Sequence, residues 1–143
     1  MKSQKMKFQK LNSMVFLNPI TQSQSSTKQK GDAAENAALL FLQQQGLRLL
    51  HRNYRTPGRG GGEIDLILQE SDGTVVFVEV RLRARRQFGG ALASVGLTKQ
   101  RRLVFAARYF LLRWRQHPPT RFDVLAWEPE DMIWLKGAFE AGH

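Results

Sequence analysis

Asp65 and Glu79 lie fourteen positions apart, each inside an apolar run: Gly62-Glu63-Ile64-Asp65-Leu66-Ile67 and Phe77-Val78-Glu79-Val80-Arg81. A carboxylate in such a setting is costly unless something compensates it. A divalent cation is one compensation, because hard cations prefer oxygen ligands. An ion pair is the other, and Arg81 follows Glu79 by two positions on the same side of a strand. The two readings are a metal centre and a metal-free network of Asp65, Glu79 and Arg81. In the first, Mg²⁺ or Mn²⁺ between the acids would polarise a phosphoryl oxygen and acidify a bound water. Arg81 would then offset charge developing on the phosphate.

The acids can share one ion only if their strands present them side by side. Glu63–Gln69 and Thr74–Leu82 read as a hairpin with two competing registers. A two-residue Asp72-Gly73 turn sets Asp65 opposite Val80 and mixes polar with apolar faces. A three-residue Ser71-Asp72-Gly73 loop, with Gly73 left-handed, sets Ile64, Leu66 and Leu68 opposite Val80, Val78 and Val76, and Asp65 opposite Glu79. Register follows the buried face, so the second is expected. Ile67, Phe77 and Val75 make the other face apolar too, as in central strands covered on both sides.

A helix precedes the hairpin. Asp32 and Glu35 have capping-box spacing at its start, and Ala37–Leu42 give it a broad apolar face. Glu35 therefore has two readings, a cap or a further ligand that also orients water. Gly46 stops this helix, and Leu47–Thr56 reads as a first strand. Pro57-Gly-Arg-Gly-Gly-Gly62 reads as a mobile loop able to approach a ligand closely. After Arg83–Gly96, a loop, Leu97–Gln116 reads as a long helix ended by His117-Pro118-Pro119. Arg121–Trp127 and Met132–Lys136 are the last strands. The order predicts an α/β fold, a mixed sheet with helices packed on it. Asp123 reads as a buttress or an arginine partner, His51 as exposed, and Trp114, Trp127 and Trp134 as packing residues.

The 143 residues fit one domain, preceded by a flexible basic tail over residues 1–30. That tail carries six lysines and no acid, and residues 80–122 also lack acids while carrying eleven lysines and arginines. Such a block points to a polyanion, nucleic acid above all. Arg83, Arg85, Arg86, Lys99, Arg101 and Arg102 are the candidates to grip a phosphate backbone, with strong salt dependence and little base specificity. With no cysteine, disulfides and thiolate metal sites are excluded. No apolar run is long enough to span a membrane and no signal peptide is evident, so a cytoplasmic location is expected.

Gly31-x3-Glu35, Gly62-Glu-Ile-Asp-Leu-Ile67, Phe77-Val-Glu-Val-Arg81, Lys99-Gln-Arg-Arg-Leu103 and Arg121-Phe-Asp-Val124, in that order, resemble the YraN-like family of bacterial proteins over about residues 31–140. That family is similar to the Holliday-junction resolvases and, more widely, to the PD-(D/E)xK nucleases. The resemblance implies a restriction-endonuclease-like αβββαβ core over residues 31–143 and a magnesium-dependent endonuclease acting on DNA, branched DNA included. It also implies a homodimer, as resolvases form. Glu35 matches the helix glutamate, Asp65 the motif aspartate and Glu79 the second acid. Arg81 stands where the superfamily has lysine, and arginine can offset charge but cannot give up a proton. The rival expectations are a catalytically silent nucleic-acid-binding module of the same fold, and a protein-interaction domain whose basic block meets an acidic surface.

Overall fold

A computed structural model of the chain describes residues 2–7, 26–82, 93–128 and 131–142. Among the described residues, six strands and two helices follow the order β1 (Lys2–Lys7), α1 (Thr27–Gln44), β2 (Arg48–Arg55), β3 (Glu63–Gln69), β4 (Val75–Leu82), α2 (Leu97–Leu111), β5 (Thr120–Glu128) and β6 (Asp131–Phe139). They form one mixed sheet in the order β1-β6-β5-β4-β3-β2. Among the described strands only β4 and β5 run parallel. A parallel pair needs a crossover, and α2 lies within it. The mixed α/β architecture expected from the pattern is the one observed.

The sheet buries both faces. Leu66, Leu68, Val76, Val78, Leu125 and Trp134 pack with Ala34, Ala37, Ala38, Phe41 and Leu42 of α1. Ile67, Val75, Phe77, Phe122 and Val124 pack with Leu103, Ala106, Ala107 and Phe110 of α2. The alternation along β3 and β4 thus assigns one set of side chains to each helix, which is why both strands are nearly continuous apolar runs.

Three local features differ from the sequence expectations. First, α1 begins at Thr27: Ser26 is its N-cap, and a Ser26–Gln29 capping box closes its first turn. The helix therefore starts upstream of Gly31, and Lys2–Lys7 runs as an edge strand on β6. Asp32 is helical and pairs with Lys28 at 3.0 Å. Second, α2 ends at Leu111, ahead of the prolines. Arg113 Nε donates to the Phe110 carbonyl at 3.0 Å while its guanidinium covers the Phe110 ring at 3.8 Å, so a side chain takes the place of the next helical turn. Third, the glycine-rich segment is clamped at its base. Thr56 N–H donates to the Gly62 carbonyl at 3.1 Å, and Gly62 N–H donates to Thr56 Oγ1 at 2.9 Å. A Cβ on Gly62 would strike the Arg102 carbonyl of α2. Glycine is required there so that the loop backbone can lie against the helix, and the expected close approach is to α2.

Candidate acidic site and its basic surround

The three-residue hairpin loop is the one formed. Leu66 pairs with Val78, Ile67 with Phe77 and Leu68 with Val76. Glu70 N–H donates to the Thr74 carbonyl, and Gly73 is left-handed at φ 94°. Just beyond Leu66, Asp65 and Glu79 are neighbours that interact by charge and by a side-chain hydrogen bond.

At that step the ladder stops being regular. Val80 N–H, which would meet the Ile64 carbonyl in a continued ladder, donates instead to Asp65 Oδ2 at 2.8 Å. The neighbouring strand deforms at the same level. Arg52 pairs with Leu66 and Tyr54 with Ile64, so Asn53 stands opposite Asp65, and it adopts φ 51°. Positive φ outside glycine is uncommon and most accessible to asparagine and aspartate. Asp65 is thus placed where β3 departs from regular pairing on both sides, with its carboxylate fixed by a backbone amide. No sequence pattern marked Asn53, because an asparagine inside a strand of mixed polarity carries no periodic signal.

Glu79 is 4% exposed. Burial pushes its carboxyl up to about 8, and the adjacent Asp65 adds to the effect both by charge and by hydrogen bonding, while Lys99 pulls the other way. Glu79 Oε2 is buried without a hydrogen-bond partner. Lys99 Nζ stands 3.3 Å from it, within ion-pair reach. Lys99, expected on the phosphate backbone, stands beside the acidic pair. It comes from the first turn of α2, which the Gly62 contact holds against the loop.

Glu35 is half-buried in α1, nine residues beyond the Ser26 cap, so the capping reading of this glutamate is excluded. Burial and then the charge of Asp65 raise its carboxyl to about 7, against the lowering effect of Arg52. It feels Asp65 without completing a cage: among the described residues no three His, Cys, Asp or Glu side chains are grouped to hold a metal ion. The pair alone fits a cation chemically. Two adjacent carboxyls, one of them buried and with a raised affinity for a proton, are what a divalent ion would compensate.

Arg81 is half-buried two positions beyond Glu79 on β4. Arg83, Arg85 and Arg86 lie outside the described residues. Arg102 is exposed and, with Arg55, Thr56, Gly58, Gly61, Gly62, Glu63 and Lys99, lines an open groove of about 410 Å³. Within it Arg55 pairs with its cross-strand neighbour Glu63 at 3.0 Å. The groove and the acidic pair share Lys99. Arg101 is exposed on the far side of α2 and belongs to neither.

Asp123 is remote from this cluster in role. Its carboxylate accepts from Arg121 Nε at 2.8 Å, Trp134 Nε1 at 3.0 Å and Gly137 N–H at 2.9 Å, and Arg121 reaches on to Glu70 at 3.2 Å. This buried network joins β5, β6 and the β3–β4 turn. Trp127 Nε1 donates to the Ala34 carbonyl at 3.1 Å, tying β5 to α1. Trp127 and Trp134 are core residues, Trp114 packs on Phe110, and His51 is exposed, all as expected.

The family model described as "Uncharacterised protein family UPF0102" matches residues 34–127, from α1 through β5. The chain belongs to the UPF0102 family. A UPF0102 protein of Albidiferax ferrireducens is 64% identical over 116 residues, covering 81% of this chain and 91% of the relative. One of Paracidovorax citrulli is 60% identical over 118 residues, covering 82% and 87%. One of a Janthinobacterium species is 51% identical over 126 residues, covering 88% and 96%. This is the YraN-like family that the motifs resemble, and the matched UPF0102 segment contains Glu35, Asp65, Glu79, Arg81 and Lys99. Among the described residues no helix is long and apolar enough to cross a membrane.

Proposed function

We propose that this UPF0102 chain is a DNA-binding, divalent-cation-dependent endonuclease domain that hydrolyses phosphodiesters at Asp65 and Glu79, with branched DNA among its substrates. The observation that carries the reading is the paired carboxyls at the break in the β3–β4 ladder, one of them buried beside the Lys99 ammonium. The α-β-β-β-α-β order from α1 to β5 agrees with the restriction-endonuclease-like core that the motif resemblance implies. The acid-free basic stretch over residues 80–122 supports a polyanionic partner.

Asp65 and Glu79 would hold the Mg²⁺ or Mn²⁺, which when bound would supply charge to the scissile phosphate and acidify water. The chain's own groups divide the remaining work. Val80 N–H keeps the Asp65 carboxylate in place. Glu79 would give up its proton on becoming a ligand. Glu35, with its carboxyl at about 7, is able to take a proton from water near neutral pH. Arg81 offsets phosphate charge, and Arg102 with Lys99 offers cations along the groove.

A second reading, a binding module that does not cut, is favoured by Lys99. Its contact with Glu79 compensates the pair without a metal, and Arg81 cannot donate or take a proton. The deciding experiment offers purified protein branched, single-stranded and duplex DNA, and RNA, with Mg²⁺ or Mn²⁺. Cleavage that vanishes in Asp65→Ala and Glu79→Ala is the expected result. Intact DNA with undiminished binding assigns the silent module, and cleavage gained only in Arg81→Lys identifies the arginine as the brake.

A further inference from the structure

One face of α2 is not used by the acidic pair, the groove or the core. Its inner side buries Leu103, Ala106, Ala107 and Phe110. Directly opposite, Leu97 is 68% exposed, Phe105 51%, Tyr109 43% and the C-cap Leu112 71%. Every exposed large hydrophobic among the described residues except Leu82 lies in this row. Exposed Arg101 and Arg108 interleave with it. Phe105 and Tyr109 are one turn apart, so their Cβ atoms are about 5–6 Å from each other along the helix. A contiguous apolar patch of this kind marks an interaction site.

We propose that this row is a docking surface for single-stranded DNA, with bases stacked on Phe105 and Tyr109 and phosphates on Arg101 and Arg108. Three properties select this occupant. The face is cationic, and no acid occurs between residues 80 and 122 to neutralise it. A second copy of the chain laid on the same face would set these arginines against their own equivalents, which disfavours self-association. Aromatic rings alternating with cations are the platform on which single strands bind, because every base has a π-face and every linkage a charge. A base-paired duplex does not offer its base faces to exposed rings. The aliphatic ends of the row suit thymine methyl groups, a feature specific to DNA. Because α2 also carries Lys99, a strand held here lies on the helix that reaches Glu79.

The inference rests on the nucleic-acid-binding part of the proposed function and is independent of cleavage. The test measures binding of the full chain to a labelled oligothymidylate of about sixteen nucleotides, to oligouridylate of the same length and to a matching duplex. Chelator is present, and ionic strength is about 0.15 M. The double variant Phe105→Ala/Tyr109→Ala is expected to lose about 5- to 150-fold per ring on the thymidylate, the range for one base–aromatic stack, and to keep its duplex affinity within about twofold. Phe105→Trp, which keeps a ring, retains affinity. Arg101→Ala/Arg108→Ala is expected to weaken both substrates and flatten the salt dependence by about 1.4 on a log–log plot for the single strand. All four positions are exposed, and circular dichroism verifies the fold of each variant. Equal losses on single strand and duplex, no loss in the ring variant, or tighter binding of oligouridylate overturns the inference. So does a sedimenting dimer that Phe105→Ala/Tyr109→Ala converts to monomer, which assigns the face to a second copy. Wild-type protein that binds no nucleic acid overturns the inference and the functional reading together. Unchanged single-strand selectivity in a chain that never cleaves removes the catalytic reading alone.

Discussion

Replacing Glu79 with glutamine tests the acidic pair without any assumption about substrate. Glutamine has the same shape, stays neutral and can still donate a hydrogen bond toward Asp65. The Glu79 carboxyl ionises at about 8 in the folded chain against an ordinary value of 4.5. Its folded pKa is raised, so the native state binds more protons than the unfolded chain between those values. Stability from this group is therefore complete below about pH 4.5 and is lost as pH rises through 8. At about 1.4 kcal/mol per pH unit the loss approaches 4 to 5 kcal/mol, an upper value because the cost of ionising is shared with Asp65. Glu79→Gln removes this loss. The expected result is near-equal stability of the two proteins at pH 5 and a growing advantage for the variant toward pH 8.5, of at least about 2 kcal/mol, read from urea midpoints at constant slope.

The same proton links the pair to a cation. At pH 7 most of the wild-type chain carries the Glu79 proton, so a divalent ion taking that carboxylate releases close to one proton per site. Calorimetry with Mg²⁺ or Mn²⁺ in two buffers of different ionisation enthalpy counts it, and Glu79→Gln should release close to one proton fewer per site. A stability difference that stays flat from pH 5 to 8.5 would refute the claim that Glu79 is held protonated. Metal binding that is undiminished in Glu79→Gln removes Glu79 as a ligand.

Asn53→Gly should leave stability unchanged within about 0.5 kcal/mol, whereas Asn53→Val should cost about 2 kcal/mol, because a β-branched residue strains at φ 51°; thermal midpoints distinguish the two. Gly62→Ala should destabilise by about 1–3 kcal/mol through collision of its Cβ with the Arg102 carbonyl, and a Gly62→Ala protein that melts like wild type contradicts the clamped loop. Asp123→Ala should cost about 3–5 kcal/mol, since it leaves the Arg121 and Trp134 donors without their buried acceptor, and it should do so equally with and without divalent cation.

The hairpin was legible because its pattern has a period of two on both strands: only one register keeps Leu66 and Leu68 over Val78 and Val76, and Gly73 supplies the left-handed residue that register needs. The start of α1 was not, for a physical reason. Ser26–Gln29 carries a capping-box signature, but it lies in a Ser-, Gln- and Lys-rich stretch with nothing apolar to bury, and Asp32 with Glu35 offers the same signature beside the apolar run. The local pattern cannot say how far a helix extends beyond its buried face. The glycine run reads as mobile because composition reports chain entropy and not the atoms packed against it; the Thr56 clasp and the Arg102 carbonyl are tertiary contacts. Asp65 and Glu79 could be paired from sequence since one strand pairing determines them. Glu35 and Lys99 could not be oriented, since each depends on how a helix sits over the sheet.

Lys99 is where that docking has the clearest chemical consequence. It lowers the Glu79 pKa while burial and Asp65 raise it, so its ammonium is what brings the buried carboxyl back toward neutral pH. Lys99→Met keeps the apolar stem of a side chain that is one-third exposed and removes only the charge. Without that charge the Glu79 proton is held to higher pH, and the window over which wild-type stability falls should extend upward. The pH at which the stability gap to Glu79→Gln stops widening reads this directly, as does a carboxyl-carbon NMR titration of Glu79. Divalent-cation affinity at pH 7 should respond with the opposite balance of effects: a more tightly held proton opposes the ion, and the absent ammonium no longer competes with it. If Lys99 acts mainly as a competitor, affinity rises in Lys99→Met; if it acts mainly by drawing off the Glu79 proton, affinity falls and recovers as pH is raised. An unchanged Glu79 titration in Lys99→Met would contradict the ion pair itself, and with it the assignment of α2 as the helix that supplies the cation of this site.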